Sequence, residues 1–374
     1  MKLTIPRSEF IAALSAVKTA AARNGSQPIL ANVLLAAAEN SLTITATDLD
    51  LYLRITTEAT IEAEGQTTVR ACLLHDLIRA TDGPDVQLKV DGHSLIVDGG
   101  TAHHKLATLS AGEFPRWPMI RDGKNQAEFT LEDASFRSLL SETVYAVSAD
   151  ESRVVLCGSL IRVGKGRLEV VGCDGRRCAV VRSECPVEPT TSLNVPSKTV
   201  RELLRHLGNN PDKPQRLTVK TSGNLVQFSF GSLVILSKLI EGSYPPFEQI
   251  LPKEEVLAVL PRAELLRRLE RIALVADNVA LKFGRSVLEL ESFGKRGEEV
   301  LGEASDRLDL PANREARVTL NCKLLRDTLT AIDDEHLQVH LQGEKVFMVK
   351  SANRDWRAVI AALVLPTATA PAKP

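Results

Sequence analysis

Six segments of the chain share one pattern of apolar and polar positions. In each, a short alternating run is followed by a longer run with apolar residues three and four positions apart. Alternation is typical of a half-buried strand, and the wider spacing is typical of an amphipathic helix. The six predicted strand–helix units are Leu3–Ile5 into Pro6–Ala20, Thr68–Val69 into Arg70–Thr81, Phe129–Leu131 into Glu132–Val147, Leu193–Val195 into Pro196–Leu207, Ala258–Leu260 into Pro261–Ala276 and Val318–Leu320 into Asn321–Ile332.

The unit that begins at Leu193 shows the pattern most clearly. Pro196 is predicted to take the first helical position, where its missing N–H costs little, and Gly208 to end the helix in a left-handed turn. One face is an apolar stripe of Val200, Leu203, Leu204 and Leu207. The opposite face carries Lys198, Arg201 and Arg205.

The units recur at nearly constant distance along the chain. The last apolar residues of the six strands are Ile5, Val69, Leu131, Val195, Leu260 and Leu320, and successive copies lie 64, 62, 64, 65 and 60 residues apart. Similarity is higher between units two apart, which predicts domains made of two similar halves. We predict domains at 1–125, 126–253 and 254–365, and a disordered tail at 366–374, where Pro, Ala and Thr dominate.

Strand-like runs joined by turn residues fill the space between the helices. Predicted hairpin turns are Asp91-Gly92, Gly164-Lys165-Gly166, Gly223-Asn224 and Gly343-Glu344. Short turns join neighbouring strands in antiparallel order. The pattern therefore predicts an α+β fold in which each half-domain is a βαβββ-like unit, with the helices on one side of antiparallel sheets.

Composition restricts the class of protein. The 374 residues are 44% apolar and 25% charged, as in a globular chain of two to three domains. With 46 basic and 47 acidic residues, the bulk charge gives no argument for nucleic acid, and 4% aromatic content disfavours base-stacking surfaces. No apolar run is long enough to span a membrane and the N-terminus lacks a signal-peptide pattern, so we expect a cytoplasmic protein without membrane partners.

Basic residues recur on the outward faces of several predicted helices. These residues are Arg79, Lys198, Arg201, Arg205, Arg267, Arg271, Lys323 and Arg326. For any single helix, a solvated face is the simplest interpretation. Recurrence over several helices favours a groove or ring around a polyanion, although the predicted helix at Glu132 is acidic and makes the field uneven.

Two short motifs suggest chemistry that the rest of the sequence does not support. Ser15-Ala16-Val17-Lys18 matches the SxxK signature of acyl enzymes, but the SDN and KTG elements of that chemistry are missing. The acyl-enzyme reading is therefore a distant alternative, and no catalytic residue is assigned. Cys173 and Cys178 could suggest zinc, but a single four-residue gap without a nearby histidine is not a zinc knuckle.

Other candidate metal ligands are also poorly arranged. His103 and His104 lie next to each other on a predicted strand, so their rings face opposite ways. The six cysteines, Cys72, Cys157, Cys173, Cys178, Cys185 and Cys322, form no CxxC pair. We expect reduced and mostly buried thiols, with no metal and no cofactor.

Four longer motifs resemble those of the bacterial DNA polymerase III β sliding clamp family. Pro28–Leu35 is similar to the family's P-I-L-x-N-[IVL]-L, and Leu42–Asp50 to L-x-[IL]-x-[AG]-T-D-L-[ED]. Gly172–Ala179 resembles A-T-D-G-H-R-L-A, and Ser237–Pro245 resembles S-[KR]-L-[IV]-[ED]-G-x-[FY]-P. The motifs occur in the family's order, and the resemblance covers residues 1–365.

The resemblance implies a fold and a function. Family members form a head-to-tail homodimer ring whose helices line a channel around duplex DNA, with the sheets outside. Such a ring is a processivity factor without enzymatic activity, which tethers DNA polymerase, the clamp loader and other clamp-motif proteins without reading sequence. The resemblance places Arg23 and Asn24 in a loop near DNA and Lys198 on an inner helix. A paralogous clamp that serves a repair polymerase or a mobile element is the alternative.

The resemblance also implies a pocket for partner peptides and a subunit interface. Matching pocket positions are Leu156, Cys173, Gly175, Arg176, Arg177, Cys178, Pro245, Gln249, Ile250, Val359, Ile360, Ala361, Ala362 and Leu363. Matching interface positions are His103, His104, Lys105, Leu274, Val275, Glu298 and Glu299. Cys173, Arg176 and Cys178 replace the family's usual Thr, His and Leu, and alanines replace its usual C-terminal methionine, so partner preference is expected to differ.

Overall fold

The computed structural model describes residues 1–22, 27–120, 126–187, 190–208, 210, 215–253, 255–297 and 299–363. Within these residues the chain forms α-helices joined to antiparallel strands. The helices are α1 Arg7–Val17, α2 Ala71–Ala80, α3 Asp133–Ser141, α4 Ser197–His206, α5 Arg262–Ile272 and α6 Cys322–Thr330.

The strands in the first half of the chain are β1 Lys2–Pro6, β2 Asn32–Ala38, β3 Ser41–Thr47, β4 Leu51–Glu58, β5 Thr60–Ala63, β6 Gly65–Arg70, β7 Asp85–Asp91, β8 Ser94–Gly99, β9 Ala102–Ala107, β10 Ala127–Glu132, β11 Gly158–Gly164, β12 Arg167–Cys173 and β13 Arg177–Glu184. Those in the second half are β14 Thr191–Pro196, β15 Arg216–Ser222, β16 Leu225–Phe230, β17 Leu233–Lys238, β18 Ala258–Pro261, β19 Asn278–Phe283, β20 Val287–Phe293, β21 Ser305–Asp309, β22 Ala316–Asn321, β23 His336–Gln342, β24 Val346–Ser351 and β25 Trp356–Ala361.

The sixfold strand–helix repeat is present in the structure. Each α-helix begins at the residue directly after a strand: β1, β6, β10, β14, β18 and β22 run into α1 to α6 in turn. The predicted equivalent apolar residues, Ile5, Val69, Leu131, Val195, Leu260 and Leu320, are all buried. In each unit, the last apolar residue of the strand therefore faces the core, and the helix begins shortly after it.

The helix starts differ from the prediction by one residue. Pro6, Pro196 and Pro261 are the last residues of their strands and not the first residues of the helices. Pro6 has φ −55° and ψ 130°, so its backbone is extended while the next residue is helical. A proline suits this position because its φ is fixed near the value it needs and it has no N–H to satisfy.

The predicted left-handed turn at Gly208 is wrong. Glycine suits this position because a carboxylate lies close to its backbone. Gly208 has no positive φ. Its backbone N–H donates to Asp133 Oδ2 at 3.0 Å, and an added Cβ would lie 2.6 Å from that oxygen. Asp133 Oδ1 also accepts from the backbone N–H groups of Ala134 at 2.7 Å and Gln215 at 2.8 Å. Gly208 therefore allows a close approach and does not reverse the chain.

The chain divides into two compact units. Unit 1 comprises Met1–Ser135 and Arg201–Leu239, and unit 2 comprises Phe136–Val200 and the chain from Ile240 onward. Unit 1 holds a five-stranded sheet of order β5-β1-β7-β8-β9 and an eight-stranded sheet of order β10-β15-β16-β17-β4-β3-β2-β6. Helix α1 packs against α2, β3 and β4. The larger sheet thus joins strands from both sides of the predicted boundary at residue 126.

Unit 2 repeats this arrangement. Its eight-stranded sheet has the order β14-β11-β12-β13-β25-β24-β23-β18, and its four-stranded sheet has the order β21-β20-β19-β22. Helix α5 packs against α6, β20 and β21. The join in this larger sheet is the pairing of β13 with β25, in which Val181 lies opposite Trp356. The indole of Trp356 is fully buried.

The hairpin predictions are confirmed and some local details are corrected. Gly92, Gly166, Gly223 and Gly343 lie in the turns between paired strands, each with a positive φ between 55° and 73°. The short strand β5 was not predicted. The last strand ends at Ala361 and not at Leu365, as far as the described residues extend. The predicted disordered tail lies outside the described residues.

Prediction for Asp133: replacement by Asn will destabilise the protein. Asp133 is 3% exposed and its carboxylate accepts three backbone N–H groups. In asparagine, one carboxylate oxygen is replaced by an NH2 group, a donor that would face a backbone N–H. We therefore expect the free energy of unfolding to fall by about 1–3 kcal/mol. Urea denaturation followed by circular dichroism measures the loss. The exposed neighbour change Glu132→Gln is the matched control, and equal stability of the two variants would refute the role of Asp133.

Candidate functional sites

The hairpin of β12 and β13 positions the residues of the candidate partner pocket. Asp174 Oδ1 accepts from the backbone N–H groups of Arg176 at 2.8 Å and Arg177 at 2.9 Å, which fixes the turn. Gly175 has φ +87°, a conformation that side chains disfavour. An added Cβ at Gly175 would also lie 2.5 Å from Arg153 Nη1. The positive φ therefore favours glycine at position 175, whereas the Arg153 side chain could move aside for a Cβ.

An apolar cluster lies beneath this turn. Its members are Leu156, Leu160, Val171, Cys173, Cys178, Val180 and Phe247, with Tyr244 packed against them. Cys173 and Cys178 lie opposite each other in the ladder between β12 and β13. Sequence comparison named Leu156 and the two cysteines but missed Phe247 and Tyr244. The apolar residues of the Gly242–Ile250 segment were the signal that could have found them.

Strand β25 brings the C-terminal pocket residues beside the hairpin. Val359 lies opposite Cys178 and Ile360 lies opposite Arg177. The backbone N–H of Ala361 donates to the carbonyl oxygen of Arg176 at 2.7 Å. Ala362 is half-buried, and Leu363 is 41% exposed. The predicted residues 173–178 and 359–361 are therefore brought together by one sheet.

The remaining predicted pocket residues lie on the segment that contributes Phe247. Phe247 is 2% exposed, whereas Ile250 is 42% exposed. Pro245 and Gln249 are exposed as well. The segment thus anchors itself through Phe247 and leaves these three side chains at the surface.

Arg177 ties the hairpin to helix α6. Its Nε donates to Asp174 Oδ2 at 3.0 Å, and its Nη1 donates to Asp327 Oδ2 at 3.0 Å. The guanidinium also lies 5.1 Å from the centre of the Tyr145 ring. Burial favours a higher pKa for Asp327, but hydrogen bonds from Lys323 and Arg177 outweigh it and lower that pKa below its ordinary value. Asp327 is therefore held as a carboxylate.

Unit 1 presents part of the predicted DNA-facing set. Arg79, Arg201 and Arg205 are exposed on α2 and α4. Glu202, whose side chain is 8% exposed, lies 3.8 Å from Arg205 Nε and accepts a hydrogen bond from Thr19 Oγ1 at 2.9 Å. Arg205 therefore has a nearby counter-charge. Arg23 and Asn24 lie outside the described residues.

Unit 2 presents the other predicted basic residues on its helices. Lys198, Arg267, Arg271, Lys323 and Arg326 are exposed. Arg271 forms an ion pair of 2.5 Å with Asp306, and Lys323 one of 2.7 Å with Asp327. Arg326 lies 4.0 Å from the same Asp327. These internal acids moderate the positive field that the helix faces present.

The predicted interface residues lie at sheet edges and nearby loops. His103 and Lys105 are exposed and His104 is half-buried on β9, an edge strand of unit 1. His103 also bonds to Asp98 on β8. In unit 2, Leu274 is 64% exposed, Val275 is half-buried and Glu299 is exposed. Glu298 lies outside the described residues.

Two apolar residues of this region were missed. Val300 and Leu301 are 72% and 52% exposed. They follow the predicted Glu299 directly, so their apolar character next to a predicted interface residue was an available signal. Each unit therefore presents an edge strand, β9 or β21, and unit 2 adds exposed apolar side chains near its edge.

The SxxK residues form a packing contact between two helices. Ser15 Oγ lies 3.0 Å from His75 Nε2, and Lys18 Nζ lies 3.1 Å from the same nitrogen. His75 is 4% exposed on α2, and its Nδ1 lies 3.0 Å from Asp76 Oδ1. A hydrogen bond with His75 lowers the pKa of Asp76. These polar groups satisfy one another between α1 and α2.

The described residues of the chain restrict the kind of site that is present. Among them, no group of three or more His, Cys, Asp or Glu side chains is arranged to hold a metal ion. Within the same part of the chain, no helix combines the length and apolar character needed to cross a bilayer.

Comparison with known proteins gives the family. Models of the DNA polymerase III beta subunit match at residues 1–118 for its N-terminal domain, 130–246 for its central domain and 248–365 for its C-terminal domain. The Beta sliding clamp of Synechococcus elongatus is 30% identical over 362 residues, which cover 92% of this chain and 93% of the relative. That of Escherichia coli K12 is 28% identical over 353 residues, covering 91% and 93%.

Solved structures agree with the sequence relatives. A sliding clamp from Pseudomonas aeruginosa bound to griselimycin superposes with a TM-score of 0.89 at 25% identity, covering 98% of this chain and 100% of that one. The clamp from Bacillus subtilis has a TM-score of 0.90 at 20% identity with the same coverage, which shows the shared fold.

The fold and the matched sequence define a sliding clamp of the antiparallel α+β type. The chain belongs to the DNA polymerase III beta subunit family. It is a DNA polymerase processivity clamp that binds DNA and polymerase, and it is not an enzyme. The resemblance that the four motifs indicated is thus confirmed, and the acyl-enzyme alternative is wrong.

Prediction for Asp327: the stability that its carboxylate contributes will vanish in acid. Because its pKa is lowered in the folded protein, the contribution is present above the ordinary value of about 3.9 and is lost as pH falls through the lower folded value. The free-energy difference between wild type and Asp327→Asn should therefore shrink as pH falls below about 4.

Urea denaturation between neutral and acidic pH measures this difference. The exposed Asp333→Asn change, on the turn after α6, is the control. A difference that stays constant across the whole pH range would show that the ion pairs of Asp327 do not stabilise the fold.

Proposed function

We propose that the chain forms a homodimer ring around duplex DNA and serves as the main replicative clamp in the cytoplasm. Each subunit would contribute the three domains 1–125, 126–253 and 254–365. The observation that carries the proposal is the repeat: six helices follow six strands directly, and each exposes a polar face while its apolar stripe is buried. A unit that recurs in this way suits a symmetric channel, even though the charge of the exposed face differs from helix to helix.

The basic residues of these helices would face the DNA. The proposed set is Arg23, Asn24, Arg79, Lys198, Arg201, Arg205, Arg267, Arg271, Lys323 and Arg326. Arg205, Arg271 and Lys323 each have an acid within 4 Å. Partial neutralisation supports sliding, because each fully engaged phosphate adds binding free energy that must be released at every step along the duplex.

The pocket around the β12–β13 hairpin would take a short peptide of a partner protein. Its proposed residues combine an apolar cluster that is already buried with exposed apolar side chains at Ile250 and Leu363. Such a mixture suits an extended peptide that inserts one or two apolar side chains and leaves the rest on the surface. DNA polymerase, the clamp loader and other clamp-motif proteins would compete for it.

The dimer interface would bring two sheet edges together. The proposed residues are His103, His104 and Lys105 on one subunit and Leu274, Val275, Glu298 and Glu299 on the other. The edge strands β9 and β21 and the exposed Leu274, Val300 and Leu301 support this proposal. Pairing the edge of one subunit with the different edge of the other would remove their unpaired backbone groups from water.

Prediction for the DNA face: the double change Arg201→Glu with Arg205→Glu will leave the fold intact and weaken DNA retention. Both side chains are exposed on α4, and the change gives up the 3.8 Å ion pair of Arg205 with Glu202 but no apolar core contact. Reversal turns attraction to phosphate into repulsion, and we expect retention on circular DNA to fall about tenfold at about 0.1 M salt. Gel filtration of loaded complexes on circular and linearised DNA measures it.

The matched control reverses two charges on a sheet of the same unit. Arg216→Glu with Lys220→Glu changes the charge equally on β15. Equal retention of the two variants would place the DNA face elsewhere. Wild-type protein that is retained equally on linear and circular DNA would refute the ring.

A paralogous clamp is the second candidate, because the pocket departs from the family pattern. Cys173, Arg176, Cys178, Ala361 and Ala362 line or border it.

Prediction for partner choice: a main clamp will bind a replicative-polymerase peptide at least as tightly as a translesion-polymerase peptide. Fluorescence anisotropy with both labelled peptides measures this preference. A replicative peptide that binds about tenfold more weakly would favour the paralogue.

A further inference from the structure

Two thiols face each other across adjacent strands beneath the candidate pocket. Cys173 ends β12 and Cys178 lies directly opposite on β13. The turn bond from the backbone N–H of Asp174 to the carbonyl oxygen of Arg177, at 3.1 Å, marks the neighbouring pair as hydrogen-bonded. Since such pairs alternate along an antiparallel ladder, Cys173 and Cys178 form a non-hydrogen-bonded pair with both side chains on one face.

This position fits a disulfide bond. Directly opposite residues at a non-hydrogen-bonded position have Cα atoms about 4.5 Å apart, inside the range of about 4.4–6.8 Å that a disulfide spans. Both side chains pack in the same apolar cluster, where Cys173 is 7% exposed and Cys178 is 1% exposed. Rotation of the two side chains about χ1 would bring the sulfur atoms to bonding distance without movement of the strands.

The surroundings of the pair favour one reactive thiolate. Interaction with the Cys178 thiol and a hydrogen bond from the backbone of Gly175 lower the pKa of Cys173, although burial opposes them. The pKa of Cys178 is raised by its interaction with Cys173 and by burial. The guanidinium of Arg153 also favours a thiolate at Cys173. Because Cys173 is also the more exposed of the two, we assign it as the attacking sulfur and the almost fully buried Cys178 as the resolving one.

We propose that Cys173 and Cys178 form a reversible disulfide that acts as a redox switch of the partner pocket. The proposal rests on the peptide-binding function proposed above for this pocket. It concerns residues that replace the usual Thr and Leu of the family motif, so the switch belongs to this chain and not to the motif.

The reaction balances with hydrogen peroxide as oxidant. The Cys173 thiolate attacks a peroxide oxygen, an S–O bond forms, the O–O bond breaks, and the leaving hydroxide takes a proton to give water. The Cys178 sulfur then attacks the Cys173 sulfur. An S–S bond forms, the S–O bond breaks, and a second water leaves. The two thiols are oxidised by two electrons, the peroxide is reduced to two waters, and a dithiol reverses the reaction.

The disulfide would change the floor of the pocket. The bond shortens the sulfur–sulfur distance to about 2.05 Å and fixes the side-chain rotamers of both cysteines. Leu156 and Phe247 belong to the same apolar cluster and Tyr244 packs against it, so the packing of the cluster must change. Because a pocket shaped for two separate thiols loses its fit, we expect an affinity for the peptide about fivefold weaker after oxidation.

The first measurement is chemical. Full-length protein carrying Cys72→Ser, which removes the exposed thiol on α2, is treated with hydrogen peroxide, alkylated and digested with trypsin. Trypsin cuts after Arg176 and Arg177, so only a disulfide can hold Leu168–Arg176 and Cys178–Arg182 together. Mass spectrometry is expected to detect this linked pair in the Cys72→Ser protein. The pair should be absent when Cys173→Thr is added. Absence of the linked pair would overturn the proposal.

The second measurement is binding. Anisotropy of a labelled replicative-polymerase peptide is compared for reduced, oxidised and re-reduced protein. We expect about fivefold loss and full recovery, with no effect of peroxide on Cys173→Thr or on the further variant Cys178→Ala. A linked pair with unchanged affinity would overturn the switch alone. Reduced protein that binds no peptide would overturn the pocket function itself, which separates the two failures.

Discussion

The pairing of strands distant in the chain is the constraint on which the rest of the structure depends. Strand β17 pairs with β4, and β13 pairs with β25. An edge strand left without a partner exposes a row of N–H and C=O groups, and each join removes two such edges. The second of these joins brings residues 177–178 beside residues 359–360, so the residues of the candidate partner pocket meet only because β13 pairs with the last described strand.

Local patterns in the sequence predicted the local structure well. The alternation at Ile5 or Val195 and the helical spacing that follows it depend only on neighbouring residues, and the structure contains every one of the six units. The hairpins could be predicted equally well, because Gly92 and Gly343 adopt the positive φ that other residues disfavour. The one-residue error at the prolines arose because the N-cap and the first helical position both accept proline.

What the sequence could not predict were contacts between distant residues. Nothing near Gly208 indicates that its N–H meets the carboxylate of Asp133, 75 positions earlier. Likewise, the periodicity of α5 predicted that Arg271 points outward but not that Asp306 neutralises it. Phe247 was missed for a similar reason, since its burial depends on a cluster whose other members come from residues 156–180. The sequence indicated several residues of the candidate pocket, but it did not predict the complete apolar cluster beneath them.

The direct junction of strand and helix also determines how the helices are oriented. Because no loop separates Pro196 from Ser197, or Asn321 from Cys322, the alternation of the strand sets the rotational phase of the helix that follows. One inserted residue at such a junction would turn the helix by about 100° about its axis. Part of the apolar stripe would then leave the core and polar residues would enter it. The chain can therefore tolerate changes of exposed side chains on these helices far more readily than changes of length at these six points.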